Sequence, residues 1–105
     1  MTGTRRPRAA AWRPRLDPGR AAVAFIADEA VILDLADYSV LRANPTAALA
    51  LRLLDGRRGV PQVGAAVAVA YGVRPAPVIA AVTRWLSDLA RRGLVAPGRP
   101  RERRR

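Results

Sequence analysis

The sequence contains no cysteine and no histidine, and each absence removes a class of function. Without cysteine there are no disulfides and no thiolate metal ligands, and without histidine no imidazole can bind a metal or act as a general base. Lysine is absent as well, so all 19 basic residues are arginine. A metal site would have to be built from carboxylates alone, and we expect no cofactor.

Long apolar segments are also missing from the sequence. No run of about 18 uncharged apolar residues occurs, which argues against a membrane-spanning helix. The first 20 residues are basic but lack the apolar segment of a secretory signal, so we expect a cytoplasmic protein with no membrane partner. A chain of 105 residues has room for one domain, and half of its residues are apolar, enough for one modest core.

The net charge of +11 lies mostly at the two ends of the chain. Residues 1–20 hold six Arg and one Asp, and residues 97–105 hold five Arg and one Glu. The stretch between them holds eight Arg and six acidic residues and is nearly balanced. We therefore predict one domain at residues 21–96 between two disordered basic arms, residues 1–20 and 97–105. Trp12, in the first arm, could dock on the domain or on a partner.

The first part of the predicted domain has the pattern of a small antiparallel meander. We predict β-strands near residues 22–27, 30–35 and 38–42. Ala36-Asp37 is the expected tight turn before the third strand. Alternation along that strand puts Ser39 and Leu41 on one face and Val40 on the other.

Three helices are predicted after the strands, each starting at a proline near the first helical turn and ending near a glycine. They run from Asn44-Pro45 to Asp55-Gly56, from Val60-Pro61 to Tyr71-Gly72, and from Arg74-Pro75 to about residue 92. Within the second, the stretch VGAAVAVAY would also suit a buried strand. A three-stranded antiparallel sheet followed by three helices is an α+β fold of the winged-helix kind.

No group of side chains has the composition of a catalytic site. Asp34 and Asp37 lie three residues apart across a turn, where carboxylates commonly stabilise the turn rather than transfer protons. The stretch LLDGRRGV lacks the Lys-Ser/Thr ending of a phosphate-binding loop. We therefore predict that the protein is not an enzyme.

Nucleic-acid binding is the alternative function that a winged-helix fold suggests. A recognition helix needs Arg, Asn or Gln directed at base edges. Outside its apolar stripe the third helix has no Asn or Gln, and phosphates would repel Asp88. This helix is a poor reader of the DNA groove, although the arginine-rich arms could give non-specific affinity.

The third predicted strand has no later strand to pair with, so one of its sides is open unless something covers it. An exposed edge displays unpaired N–H and C=O groups. An extended peptide could add there as a fourth strand, in a groove walled by the third helix. The alternative is that the third helix or an arm covers this edge.

Four stretches together resemble the PqqD-like family, the peptide chaperones of pyrroloquinoline quinone biosynthesis and their relatives. They are AVILDLADYSVLRAN, LLDGRRGVPQV, AYGV and VTRWLSDLARRGLV, in this order and spacing between residues 28 and 95. Each is a weak signal alone, and their combination is specific. The sequence departs from the family at Ala36-Asp37, where relatives often have a glycine in the turn.

The resemblance implies a RiPP recognition element, a small domain that binds the leader of a ribosomally made precursor peptide as an added strand. Free-standing members with arginine-rich tails are most similar to those of lasso peptide biosynthesis, where the domain presents the precursor to a separate leader peptidase and a cyclase. By position, the resemblance assigns peptide binding to Tyr38, Ser39, Val40, Leu41, Arg42, Val78, Ala81, Val82, Arg84 and Trp85.

Overall fold

The computed structural model describes residues 12–96, which form a three-stranded antiparallel sheet with three helices packed on one of its faces. The strands are β1 (Arg15–Leu16), β2 (Ala21–Ile26), β3 (Glu29–Asp34), β4 (Val40–Ala43) and β5 (Val95–Ala96). The helices are α1 (Pro45–Arg52), α2 (Val60–Tyr71) and α3 (Pro75–Arg91). The predicted α+β, winged-helix-like class is confirmed.

The main sheet has the strand order β2-β3-β4, with both pairs antiparallel. Period-two alternation decides which side chains enter the core, because successive residues of a strand point to opposite faces. Ala30 and Ile32 of β3 are buried, as are Ala21 at the start of β2 and Ala43 at the end of β4. The core face of β3 is therefore its even-numbered face, opposite to the one that holds Val31.

The third strand of the main sheet begins two residues later than the sequence predicted. Tyr38 lies in the left-handed region with φ +62°, so it belongs to the turn, and Ser39 precedes the strand. Two carboxylates build this turn: Asp34 Oδ1 accepts from Ala36 N–H, and Asp37 Oδ1 accepts from Ser39 N–H, each at 2.9 Å. The connection between β3 and β4 therefore spans five residues, 35–39, where a two-residue turn had been expected.

Side-chain and backbone caps define the helices. Asn44 Oδ1 accepts from Ala47 N–H at 2.9 Å and begins α1, as predicted. This helix ends at Arg52, before the predicted stop at Asp55-Gly56. Asp55 lies in the loop that follows, where its Oδ1 accepts from the backbone N–H groups of Arg57 and Arg58. The second segment is a helix rather than a strand, and it ends at Gly72 with φ +66°.

Helices α2 and α3 pack closely through a glycine. A Cβ atom added at Gly64 would lie 2.7 Å from both Cα and Cγ1 of Ile79. This approach sets α3 against α2, and α3 buries Val82, Leu86 and Leu89 on its inner side. The contact between α2 and α3 thus determines where the exposed side of α3 lies relative to the main sheet.

The segment before the main sheet is part of the domain. Its strand β1 pairs with β5, Asp17 N–H donates to Leu94 O at 3.0 Å, and Pro14 is fully buried. Trp12 packs against the core of the domain, which is one of the two positions that the sequence left open for it, the other being contact with a partner. The domain therefore begins before residue 21, where the sequence had placed its start. The predictions for residues 1–11 and 97–105 concern residues outside those that the structure describes.

Candidate functional site

Strand β4 has one open side. Within residues 12–96 its strand partner is β3. Asp34 N–H donates to Ser39 O at 2.9 Å, and this bond shows which residues of the two strands direct their backbone groups toward each other. Hydrogen-bonded pairs alternate along antiparallel strands, so Ile32 and Leu41 form the next bonded pair. The N–H and C=O groups of Val40 and Arg42 consequently point away from the sheet.

A cavity of about 270 Å³ opens beside this edge. It lies where the end of β4, the first turn of α1 and the middle of α3 meet. Its lining residues are Arg42, Asn44, Thr46, Ala47, Ala81, Val82 and Trp85. Apolar groups from α3 and α1 form its walls, while the polar groups come from the strand end and from the helix N-terminus. The arrangement is a short groove with backbone hydrogen-bonding groups along one side.

The charges near the groove are exposed and only partly paired. Arg42 makes an ion pair with Glu29 at 3.6 Å, and both side chains are exposed. Such surface pairs contribute about 0–1 kcal/mol, so Arg42 can exchange Glu29 for another carboxylate at little cost. Hydrogen bonds from the backbone N–H and then the hydroxyl of Ser39 lower the pKa of Asp37 from its ordinary value of 3.8, so the turn before β4 carries a negative charge at neutral pH.

The structure brings together four of the ten residues that the sequence assigned to the site: Arg42, Ala81, Val82 and Trp85 line the cavity. Val40 lies on the open edge and is 60% exposed. Leu41 and Val78 pack against the core, and Val82 is buried, so it serves as core residue and cavity wall.

The remaining predicted site residues lie around the groove rather than in it. Arg84 is exposed on α3 and does not line the cavity. Tyr38, 74% exposed, stands in the turn at the start of the edge. Ser39 is committed to that turn, since its N–H and its hydroxyl both donate to Asp37.

Sequence reasoning missed three lining residues, Asn44, Thr46 and Ala47. They had been interpreted as the start of a helix only. A signal for them was present in the sequence, because the helix cap Asn44 directly follows the edge strand. The first turn of α1 must therefore lie at the end of that edge. Asn44 caps α1 with its side-chain oxygen, which leaves its amide N–H₂ group available to the groove.

Other chemistries have little support among the described residues. In residues 12–96 no three His, Cys, Asp or Glu side chains lie close enough to hold a metal ion. None of the helices in this part of the chain is long and apolar enough to cross a bilayer. On the exposed surface of α3, Asp88 is paired with Arg91, which places a carboxylate where a DNA-reading helix would meet phosphate.

Comparison with known proteins gives two matches. The family model described as "Coenzyme PQQ synthesis protein D (PqqD)" matches residues 29–95, more than half of the chain. The solved structure described as "TbiB1 in Complex with the TbiA(beta) Leader Peptide" superimposes with a TM-score of 0.67 at 21% sequence identity, over 77% of this chain and 93% of that one. At that identity the likeness shows the fold alone. No curated protein matches the sequence.

Proposed function

The chain belongs to the PqqD family, and from this premise we propose that it is a non-catalytic protein that binds the leader segment of a ribosomally made precursor peptide. The observation that carries the proposal is the open edge of β4 beside the cavity. The structural relative, which shares the fold, is described as a complex with a leader peptide. A leader bound here would form a fourth strand of the sheet.

Strand addition explains both sides of the groove. The N–H and C=O groups of Val40 and Arg42 would bind the main chain of the peptide, which supplies affinity that does not depend on sequence. Alternate side chains of the peptide would point toward α3 and enter the cavity against Trp85, which supplies selectivity. The apolar wall dominates this contact, so we expect binding to weaken only modestly with salt.

The biological role that fits such binding is delivery. The protein would hold the precursor and raise its local concentration at a separate leader peptidase and at a cyclase, in the manner of the free-standing proteins of lasso peptide biosynthesis. Because the protein has no catalytic group of its own in this groove, chemistry is assigned to those partners.

A titration distinguishes this proposal from nucleic-acid binding. The full chain is titrated with a fluorescein-labelled synthetic leader, chosen from short precursor genes found by sequencing the neighbourhood of its own gene, and separately with labelled duplex DNA. A protein that contacts 6–10 phosphates loses about 10³–10⁵ in affinity between 50 and 200 mM salt. We expect the leader affinity to change by less than tenfold over that range. DNA binding that persists at ~150 mM salt, together with no leader binding, would end the proposal.

A further inference from the structure

The main sheet has a second free edge, strand β2. Within residues 12–96, β3 is its one strand partner. Its six residues, AAVAFI, include no charge and no proline. Edge strands in natural proteins are usually protected by a charged residue, a proline or a bulge, because their unpaired backbone groups accept another strand. Strand β4 contains the charged residue Arg42, whereas β2 contains none, so β2 is the less protected edge of the two.

The outward backbone groups of β2 belong to Val23 and Phe25. Leu35 N–H donates to Arg20 O at 2.9 Å, so Leu35 and Arg20 are a hydrogen-bonded pair at the end of the β2–β3 ladder. Since bonded pairs alternate, residues 22, 24 and 26 face β3 with their N–H and C=O groups. A strand laid beside β2 would therefore meet two donors and two acceptors that the sheet does not use.

Apolar side chains border the β2 edge on both faces of the sheet. Ile26 is 61% exposed on the outer face, where Ala22 and Ala24 are exposed as well. Phe25 is 37% exposed on the core face, and the Arg52 guanidinium carbon lies 3.9 Å from the centroid of its ring. Apart from the Arg52 guanidinium over Phe25 the strip carries no charge, so two copies of a strongly basic chain can approach each other along it.

We infer that β2 pairs with β2 of a second copy of this chain, antiparallel and about a two-fold axis at Val23. In this register Phe25 lies opposite Ala21 of the other copy, so the largest side chain of the strand meets a small one. The two Val23 side chains meet at the axis, and Ala22 lies opposite Ala24. One strand is therefore complementary to itself, as a two-fold interface requires.

The charges beside β2 favour the same arrangement. Arg20, which pairs with Asp34 at 3.5 Å and is partly exposed, precedes the strand, and Asp28 and Glu29 follow it. Antiparallel pairing brings the basic beginning of one strand beside the acidic end of the other, whereas parallel pairing would place like charges together. The product is a six-stranded sheet whose two outer edges are both β4, so the proposed peptide sites lie at opposite ends and stay open.

Sedimentation velocity of the full chain over a hundredfold range of concentration tests this pairing. A short strand pair buries less than a standard interface of ~1,600 Å², so we expect a reversible dimer with a Kd in roughly the micromolar range. Val23→Pro removes an outward donor, and Ala24→Arg places a charge on the exposed face of the strand. Each is expected to raise the dimer Kd at least tenfold. Val40→Pro, on the other edge, should leave the dimer unchanged.

Amide exchange measured by NMR locates the contact and covers the case of a variant that does not fold. We expect the Val23 and Phe25 amides to become protected as the protein concentration rises, while the Val40 amide stays unprotected until leader is added. A wild-type chain that remains a monomer throughout overturns the inference. So does concentration-independent protection of Val23 and Phe25, which would mean that the chain covers its own edge. Neither result bears on leader binding, which is read at Val40.

Discussion

Val40 and Leu41 are neighbours in β4, and their backbone N–H groups point in opposite directions. Leu41 pairs with Ile32 inside the sheet, whereas Val40 presents its N–H to the open side. Their side chains divide in the same way, since Val40 is exposed and Leu41 packs against the core. Two adjacent positions thus separate the proposed peptide-binding edge from the stability of the hairpin.

Proline at each of these positions should give opposite results. Val40→Pro removes a donor that the folded sheet does not use, so we expect a folded protein whose leader affinity falls about tenfold, the equivalent of one or two net hydrogen bonds. Leu41→Pro removes a ladder bond and should lower the melting temperature instead. Circular dichroism and a leader titration measure the two effects. Strand addition is contradicted if folded Val40→Pro binds leader as tightly as wild type.

Filling the cavity should block binding without harming the fold. Ala81 is exposed and lines the cavity, so Ala81→Phe adds volume where a peptide side chain would enter. We expect at least a tenfold loss of leader affinity and an unchanged melting temperature, because surface substitutions usually change stability by less than about 0.5 kcal/mol.

The matched control for the cavity is the neighbouring position. Ala80 is exposed on the same helix and does not line the cavity. Ala80→Phe introduces the same side chain and should bind leader like the wild-type protein. Equal losses for the two variants would show that the cavity has no special part in binding.

The close approach of Gly64 and Ile79 should tolerate no added side chain. A Cβ at Gly64 would lie 2.7 Å from Ile79 Cα, which is backbone and cannot rotate away. Gly64→Ala is therefore expected to destabilise the domain by about 1–3 kcal/mol, as overpacking does, and to displace α3. Thermal unfolding measures this loss. Gly19→Ala, where the nearest atom is Asp17 Oδ1 at 3.4 Å, is the control and should have a small effect.

A truncation at Ile79 refines the Gly64 experiment. Ile79→Ala removes the Cγ1 atom but leaves the backbone of α3 equally near to residue 64. Combined with Gly64→Ala, it should recover only part of the lost stability. Full recovery would mean that the side chain alone, rather than the closeness of the two backbones, sets the helix packing.

The turn before β4 should respond to acid through Asp37. Hydrogen bonds from Ser39 lower the pKa of this carboxyl from 3.8. A carboxyl with a depressed folded pKa adds stability above its unfolded pKa, and that stability is lost as the pH falls through the folded pKa. We therefore expect the turn to loosen only at a pH below 3.8.

A carbon-13 NMR titration of the Asp37 carboxyl measures this midpoint directly. The midpoint should lie below 3.8 in the wild type and move upward in Ser39→Ala, which loses the hydroxyl donor but keeps the backbone one. A wild-type midpoint at or above 3.8 would be incompatible with the hydrogen bonds at this turn.

Much of the fold was predictable because its signals are local. Asn44-Pro45 and the glycine after α2 mark helix ends by their own backbone chemistry, and the structure confirms both. The alternation in β3 identified a strand correctly. It did not show which face is buried, because both faces of that strand are apolar and the choice depends on what packs against them.

The candidate site was predictable in part. The open edge was predicted from the order of the strands, whereas Val82 and Trp85 were assigned through the resemblance to the family, and their role in binding stays a prediction. The position of Tyr38 was not predictable, since a tyrosine with φ +62° goes against local preference and is held by the hydrogen bonds of Asp34 and Asp37. The cavity was not predictable either, because its lining comes from β4, α1 and α3 together.

The sequence by itself determined the class of the fold, the helix starts marked by prolines, the end of α2 at a glycine, and the absence of thiol and imidazole chemistry. Each of these depends on a few neighbouring residues or on none. Only the tertiary structure decided that Arg15–Leu16 form a strand and that β4 borders a cavity. The pairing of Arg15–Leu16 needs β5 at the far end of the chain, and the cavity needs three elements brought together. No local pattern encodes contacts between residues so distant in sequence.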